Sequence, residues 1–354
     1  MLIVDFIKNN SDWRQILPVS PYCIEIKEKG NYVLFYYGIK ADFKNPLVQE
    51  CRGLILLKDT WEVVSFPFTK FFNVNEHLAA KIDWNSARIL EKIDGSLIKV
   101  WFHNDWHVST MSMIDAHDAS LSEPNASYKT FFDLFMEGFN KTGKTFDDLN
   151  GDYTYCFELV SPFNRVVINY KEIEIYHIFT RNNKTYQELE IDIGIKKPKK
   201  FCFNTMEEVF EVLKNMPYSE EGFVIVDKFF NRVKAKSHAY LAVHHLRLNG
   251  QINKKRILEL ILLNQHDEFL SYFPEYELNF VEVKQIFEDF IFKMKKDVET
   301  VKNKEFATRK DYALFVKFLT YPPFMFALLD NKECEPENYL RNLSVDKLSE
   351  ILKL

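Results

Sequence analysis

Four groups of residues in this 354-residue chain combine types and spacings that could do chemistry. The first is Lys92-Ile93-Asp94-Gly95, set in the apolar run from Arg88 to Val100. A lysine at a strand end beside a glycine can bring its amine close to a bound phosphate, because glycine lets the backbone approach a ligand. Once it loses its proton, that amine is a nucleophile able to form a covalent bond to the phosphate. The four-letter pattern arises by chance in very roughly one chain in ten of this length, so a solvated hairpin lysine is the plain alternative. The second group is Glu158, placed in the β-prone run from Tyr153 to Val160, where a carboxylate needs a partner. The third is Glu220-Glu221-Gly222, an acidic start to the apolar stretch from Phe223 to Val226. The fourth is Lys234 and Lys236, which fall on one side of a strand because side chains alternate. Two lysines facing one way repel each other unless an anion lies between them; the alternative is an exposed edge strand.

These residues need strands to carry them. Asp94-Gly95 is a strong signal for a tight turn, so Lys92 is expected on a β-hairpin. Upstream, residues 1–17 suggest a short amphipathic helix ending before Pro18, and residues 22–37 a hairpin about Gly30-Asn31. Residues 48–58 suggest a strand with Glu50 and Arg52 at its start, with Trp61 to Phe66 as its return partner. Pro67 to Asn73 is an aromatic loop that sets Lys70 among phenylalanines, and lysine stems also pack against rings for purely structural reasons. Strands follow over 99–113, 153–160 and 173–179, with helices over 127–139 and 205–215. Gly138 to Thr145 matches the phosphate-loop pattern letter for letter. That motif works only between a buried strand and a long helix, and here a helix precedes it, so a polar surface loop is expected. Lys196 to Lys200 is an exposed loop or a contact to RNA backbone. Beyond a boundary near His245 helical patterns take over, at 257–263, 281–294, 312–319 and 343–354, with solvated Lys/Glu-rich faces.

Composition narrows the function classes. With 47% hydrophobic residues and 33 Phe, the chain can fill two cores. A net charge of -5 excludes a polybasic nucleic-acid coat, so binding RNA would need a local basic surface. The five cysteines (Cys23, Cys51, Cys156, Cys202 and Cys334) are scattered and never in Cys-x-x-Cys spacing, which suggests free thiols and no zinc site. No basic leader and no bilayer-length apolar run is evident, so a cytoplasmic protein with no membrane partner is expected.

In order, Arg52, Lys70, the Lys92 motif, Glu158, Glu221 to Val224 and the Lys234/Lys236 pair resemble the covalent nucleotidyltransferases, that is, ATP-dependent ligases and mRNA capping enzymes. The finer resemblance is to the RNA ligase 1 family of T-even bacteriophage type. It is carried by Glu50-Cys51-Arg52-Gly53, Lys70 to Glu76, Glu158 to Pro162 with Asn164 to Val167, and Lys234 to Ser237 followed by Tyr240, over about residues 30–245. It implies an α+β fold: a nucleotidyltransferase (ATP-grasp-like ligase) domain of antiparallel sheets with flanking helices over 1–246. An all-α C-terminal domain over 247–354, with a role in choosing RNA, would complete it; there Lys254, Lys255 and Arg256 are either phosphate contacts or a solvated helix face.

The resemblance also implies a reaction. ATP would adenylate Lys92, AMP would pass to an RNA 5′-phosphate, and a 3′-hydroxyl would then displace it, in a monomer of viral type that repairs RNA such as nicked tRNA. Catalytic roles fall to Lys92, Asp94, Glu221, Lys234 and Lys236. Nucleotide binding falls to Arg52, Lys70, Lys92, Glu158, Ile178, Val224, Lys234 and Lys236: Glu158 on the ribose, Ile178 and Val224 about the adenine, Arg52 and Lys70 on the outer phosphates. Glu221 is the expected contact for Mg²⁺, with Mn²⁺ as an alternative. Lysine is almost wholly protonated at neutral pH, so the metal and the cations Arg52, Lys234 and Lys236 would have to favour the neutral amine. One departure stands out. The family's basic residue near a small-residue turn is missing from Ser109-Thr110-Met111-Ser112-Met113. A capping guanylyltransferase or DNA ligase would carry a C-terminal OB barrel, which the helical tail disfavours; a non-catalytic RNA-binding module would have no need of the intact lysines and glutamates.

Overall fold

The computed structural model describes residues 1–121, 127–241, 253–272, 274–330 and 335–354. The boundary expected near His245 and the cysteine at 334 lie outside the described residues. The chain divides into two compact units, Met1–Gly250 and Gln251–Leu354.

The first unit is mixed α+β, built on three sheets whose pairings are antiparallel except for one. The N-terminal sheet runs β1 (Ile24–Lys29), β2 (Tyr32–Tyr37), β3 (Arg52–Leu57) and β4 (Val63–Ser65) in that order. The expected helix over 1–17 is two pieces, α1 (Leu2–Asn9) and α2 (Trp13–Ile16). Asn10, Ser11 and Asp12, which favour turns over helix interiors, separate them. Their apolar faces, Ile3, Ile7 and Trp13, pack with Val33, Phe35 and Leu54 of the sheet. The strand expected over 48–58 starts only at Arg52, because Asn45 caps a short helix, α3 (Pro46–Glu50), that has a proline in its first turn. Glu50 therefore ends a helix, and its carboxylate accepts the Leu2 and Ile3 amides at 3.3 and 2.9 Å.

The other two sheets carry or flank most of the chemistry-bearing residues; Arg52 starts β3 of the first. One comprises β7 (Ser96–His103), β8 (Asp105–Thr110), β9 (Tyr153–Val160), β10 (Glu174–Asn182) and β11 (Glu188–Leu189), in the order β11-β10-β9-β7-β8. The other comprises β5 (Phe72–Asn73), β6 (Arg88–Glu91), β12 (Lys200–Phe201), β13 (Gly222–Val226) and β14 (Arg232–Lys236), in the order β12-β6-β13-β14-β5. The Lys92 segment is thus not the turn of a hairpin. Strands β6 and β7 belong to different sheets, and residues 92–95 cross from one to the other. Gly95 is needed for that crossing rather than for a hairpin turn: a Cβ there would lie 2.5 Å from the Leu159 carbonyl. Nor is β14 an edge, since β13 and β5 flank it.

Helices decide which strand faces remain open. Helix α4 (Phe131–Lys141), capped by Thr130, covers one face of the second sheet through Leu134, Phe135 and Phe139, against Ile98, Tyr155, Phe157 and Leu159. Alternation then turns Leu97, Lys99, Cys156 and Glu158 to the other side. Helix α5 (Met206–Asn215) covers Ile89, Phe223, Ile225, Val233 and Ala235 of the third sheet, so Leu90, Val224, Lys234 and Lys236 face away from it. The phosphate-loop look-alike is spent on α4, which contains its first four residues; Gly138 packs against Ile175, and only a 3-10 turn (Phe146–Asp148) follows.

The second unit is helical among its described residues: α6 (Lys254–Leu262), α7 (His266–Tyr272), α8 (Glu277–Lys302), α9 (Arg309–Val316), α10 (Pro322–Leu329), α11 (Pro336–Arg341) and α12 (Val345–Leu352). The long α8 buries Phe280, Val283, Phe287, Ile291 and Met294, a stripe at helical spacing. Lys254 pairs with Glu282 at 2.6 Å, Lys255 with Asp346 and Arg256 with Glu259.

Candidate active site

Lys92 follows β6 directly, and its amide donates to the Gly222 carbonyl at 2.9 Å. That bond brings it level with Glu221, whose Oε2 lies 2.8 Å from Lys92 Nζ. Lys236 Nζ approaches the other oxygen of the same carboxylate at 3.6 Å. Glu221 is almost fully buried and Lys92 only partly so, and the register that sets Gly222 opposite Lys236 brings the acid and the second lysine together. Gly222 is required there: at φ +138 its absent Cβ would fall 2.1 Å from the Ala235 carbonyl. The Glu221 carboxylate is the anion that Lys92 and Lys236 share.

Glu158 borders the same space from β9, opposite Leu97 and Tyr176 in the sheet. Desolvation pushes its carboxyl up to about 7; Lys92 opposes the rise, Glu221 adds to it, and Arg52 opposes it further. Asp94 is buried and fully occupied. One oxygen accepts the Val167 and Ile168 amides at 2.9 and 2.7 Å, and the other accepts the Tyr240 hydroxyl at 2.9 Å. These bonds tie the Lys92 segment to the loop after β9 and to the residues following β14. Tyr240, for which an ordinary core role was an open alternative, is the other half of that clamp.

The remaining expected residues lie around this centre. Val224 pairs with Lys234 across β13 and β14, and Lys234 pairs with Asn73 of β5. Ile178 sits at a bulge in β10 between His177 and Phe179, which turns it toward Ile93, Val160 and Tyr176. Arg52 lays its guanidinium over Phe68 and Phe71, at 4.5 and 5.3 Å. Lys70 stands apart from the ion-paired group in a cage of Tyr37, Phe43 and Phe72 rings, 4.5 Å from Phe43, two residues before β5. The Lys196–Lys200 run is held by acids: Lys196 by Glu174 at 2.9 Å, Lys197 by Asp192 at 3.7 Å and Lys200 by Glu190 at 3.5 Å.

Sequence reasoning missed a second charged cluster. Arg181 of β10 and Arg232 of β14 share Glu188, at 2.8 and 3.0 Å, and both guanidiniums lie against Phe179. Beside them an open recess is lined by Leu90, Ile178, Val226 and Arg232 among others. The signal for Arg232 was present, two residues before Lys234 and so on the same strand face; nothing in the pattern pointed to Arg181, because the bulge at 178 breaks the alternation.

Several relatives are similar to this chain. A protein named as a bifunctional polynucleotide kinase/RNA ligase, from Autographa californica nuclear polyhedrosis virus, is 34% identical over 68% of this chain; the match spans only 37% of that longer protein. An RNA ligase of Rhodothermus phage RM378 is 26% identical over 92% of this chain and 91% of its own length. RNA ligase 1 of bacteriophage TS2126 is 27% identical over 42% of this chain and 38% of its own. The family model for RNA ligase of the phage ligase 1 type matches residues 50–240, the stretch that holds every residue of the ion-paired centre. With more than half its length inside that match, the chain belongs to the RNA ligase 1 family.

Proposed function

We propose that this chain is an ATP-dependent RNA ligase that works through a lysyl-AMP on Lys92, then adenylated RNA, and finally a phosphodiester between 3′-hydroxyl and 5′-phosphate ends. The observation that carries the proposal is the convergence of Lys92 and Lys236, from two strand ends, on the buried Glu221 carboxylate at a third. In the resting geometry the Lys92 ammonium is tied to Glu221. To react it must leave that carboxylate and lose a proton; its nitrogen then bonds to the α-phosphorus as the bond to pyrophosphate breaks. Lys234 and Lys236 face the same groove and would offset the charge that builds on the departing pyrophosphate. Glu158, next to Lys92, would hold a ribose hydroxyl, and Val224 and Ile178 would offer apolar surfaces to the base.

Among the described residues no group of three or more metal-ligating side chains is found. Glu221 would be the protein contact of a magnesium-type ion otherwise held by water and phosphate oxygens. Such an ion would neutralise phosphate charge. RNA with a nick, such as a cleaved tRNA, is the substrate this reading favours.

The decisive experiment incubates the protein with α-labelled ATP or GTP and a divalent ion, then separates it under denaturing conditions. AMP retained by wild type and lost in Lys92→Ala supports the proposal. Retention of GMP would instead indicate capping chemistry, and no label at all a binding module.

A further inference from the structure

Among the groups not used above, one stands where folding alone would not place it. Lys99 is fully buried in the middle of β7, between Leu97 and Trp101. Lysine is seldom buried without a partner, because its ammonium is costly to remove from water. Its amine donates to the Gly53 carbonyl of β3, so it links two sheets. The charged and titratable groups that share this interior are Arg52 from β3, Cys156 and Glu158 from β9 and Arg181 from β10. Burial lowers the amine to about 7 and pushes the Cys156 thiol up to about 12.

Gly53 lies at φ +86, where side chains are disfavoured, and a Cβ there would come 2.8 Å from the Met111 carbonyl and 3.1 Å from Lys99 Nζ. The main chain immediately after Arg52 is therefore held by the Lys99 amine and packs closely against the Met111 backbone. Arg52 itself rests on the faces of Phe68 and Phe71, and its Nε is buried with no hydrogen-bond partner among the described residues. Ring faces restrain a guanidinium's tilt but leave its direction along the plane open.

We propose that Lys99 is a positioning residue for Arg52: by holding the Gly53 carbonyl it fixes the direction in which the guanidinium meets the triphosphate of the nucleotide. This inference rests on the lysyl-AMP reading, in which Arg52 engages the outer phosphates. It separates the two halves of the reaction. Adenylation of Lys92 uses the triphosphate, whereas sealing of RNA that already carries a 5′-adenylate does not.

The test compares full-length wild type, Lys99→Met, which keeps the stem and loses the donor, and Lys99→Gln, whose amide can still donate. Wild type must first form the AMP adduct; if it does not, the underlying functional reading fails and the role of Lys99 falls with it. Given that adduct, KM for ATP should rise about tenfold or more in Lys99→Met and about threefold in Lys99→Gln. In both, kcat for sealing pre-adenylated RNA should stay within about twofold of wild type. In an Arg52→Ala background, Lys99→Met should add less than twofold to KM. If Lys99→Met does not fold, the Lys99→Gln pair of measurements decides alone. Equal losses in both half-reactions, or an unchanged KM for ATP, would overturn the proposal.

Discussion

The two units use the same charged residues in opposite ways. In the helical unit, Lys254, Lys255 and Arg309 each meet a carboxylate of their own in pairs open to water, while the more buried Arg256 and Arg341 pair with an acid on their own helix. In the sheet unit, Lys92 and Lys236 share one carboxylate that is almost fully buried, Glu158 is held near neutrality, and Lys99 is buried outright. Exposed pairs contribute little to stability and stand on any solvated helix face. Buried charge costs stability, so a fold that keeps several such groups beside one another holds them for chemistry. The lesson is that abundance of lysine says little about function, whereas burial and sharing of partners say much.

Substitutions can break this contrast or sharpen it. The largest effect is expected for Lys92→Ala, which should abolish the labelled AMP adduct by at least about a thousandfold while thermal melting shows a folded protein. Next, Asp94→Asn should lower unfolding free energy by roughly 2–4 kcal/mol in urea titrations, because an amide cannot accept at both ends of the clamp. Tyr240→Phe, which removes one of its bonds, should cost about 1 kcal/mol. A smaller and oppositely signed effect is expected for Glu158→Gln. Because the folded carboxyl binds its proton more tightly than the unfolded one, wild type loses stability as pH rises from the ordinary range near 4.5 through about 7. The Gln variant lacks that loss, so its melting temperature should exceed that of wild type at pH 8 and the gap should close by pH 5, while adenylation falls. Smallest of all, Lys255→Ala in the helical unit should change unfolding free energy by less than about 0.5 kcal/mol and leave the adduct unchanged. An effect on adenylation there would erase the distinction between the units.

Much of the site was legible before any coordinates. Glu158 announced itself as an acid among apolar neighbours, and Lys234 and Lys236 as a pair on one strand face; both inferences use only alternation and the cost of burying charge. The aromatic setting of Lys70 and the false phosphate loop were likewise weighed correctly from local pattern, as the three-ring cage and the helix over Gly138 bear out. The hairpin at Lys92 was not. Asp-Gly favours a tight turn, yet the partners of β6 and β7 lie in separate sheets, and pairing between distant segments overrides a four-residue preference.

What the amino-acid order determined by itself is therefore local: which side of each strand carries charge, where helices are capped, and which residue types can do phosphoryl chemistry. Tertiary structure alone decided that Glu221 is the anion between two lysines, that Asp94 joins two distant segments, and that Lys99 reaches the backbone beside Arg52. Each of those depends on contacts between segments 46 to 146 residues apart. Their proximity is set by how sheets stack and by where a missing Cβ lets two backbones touch, and neither is written in the neighbourhood of any one residue.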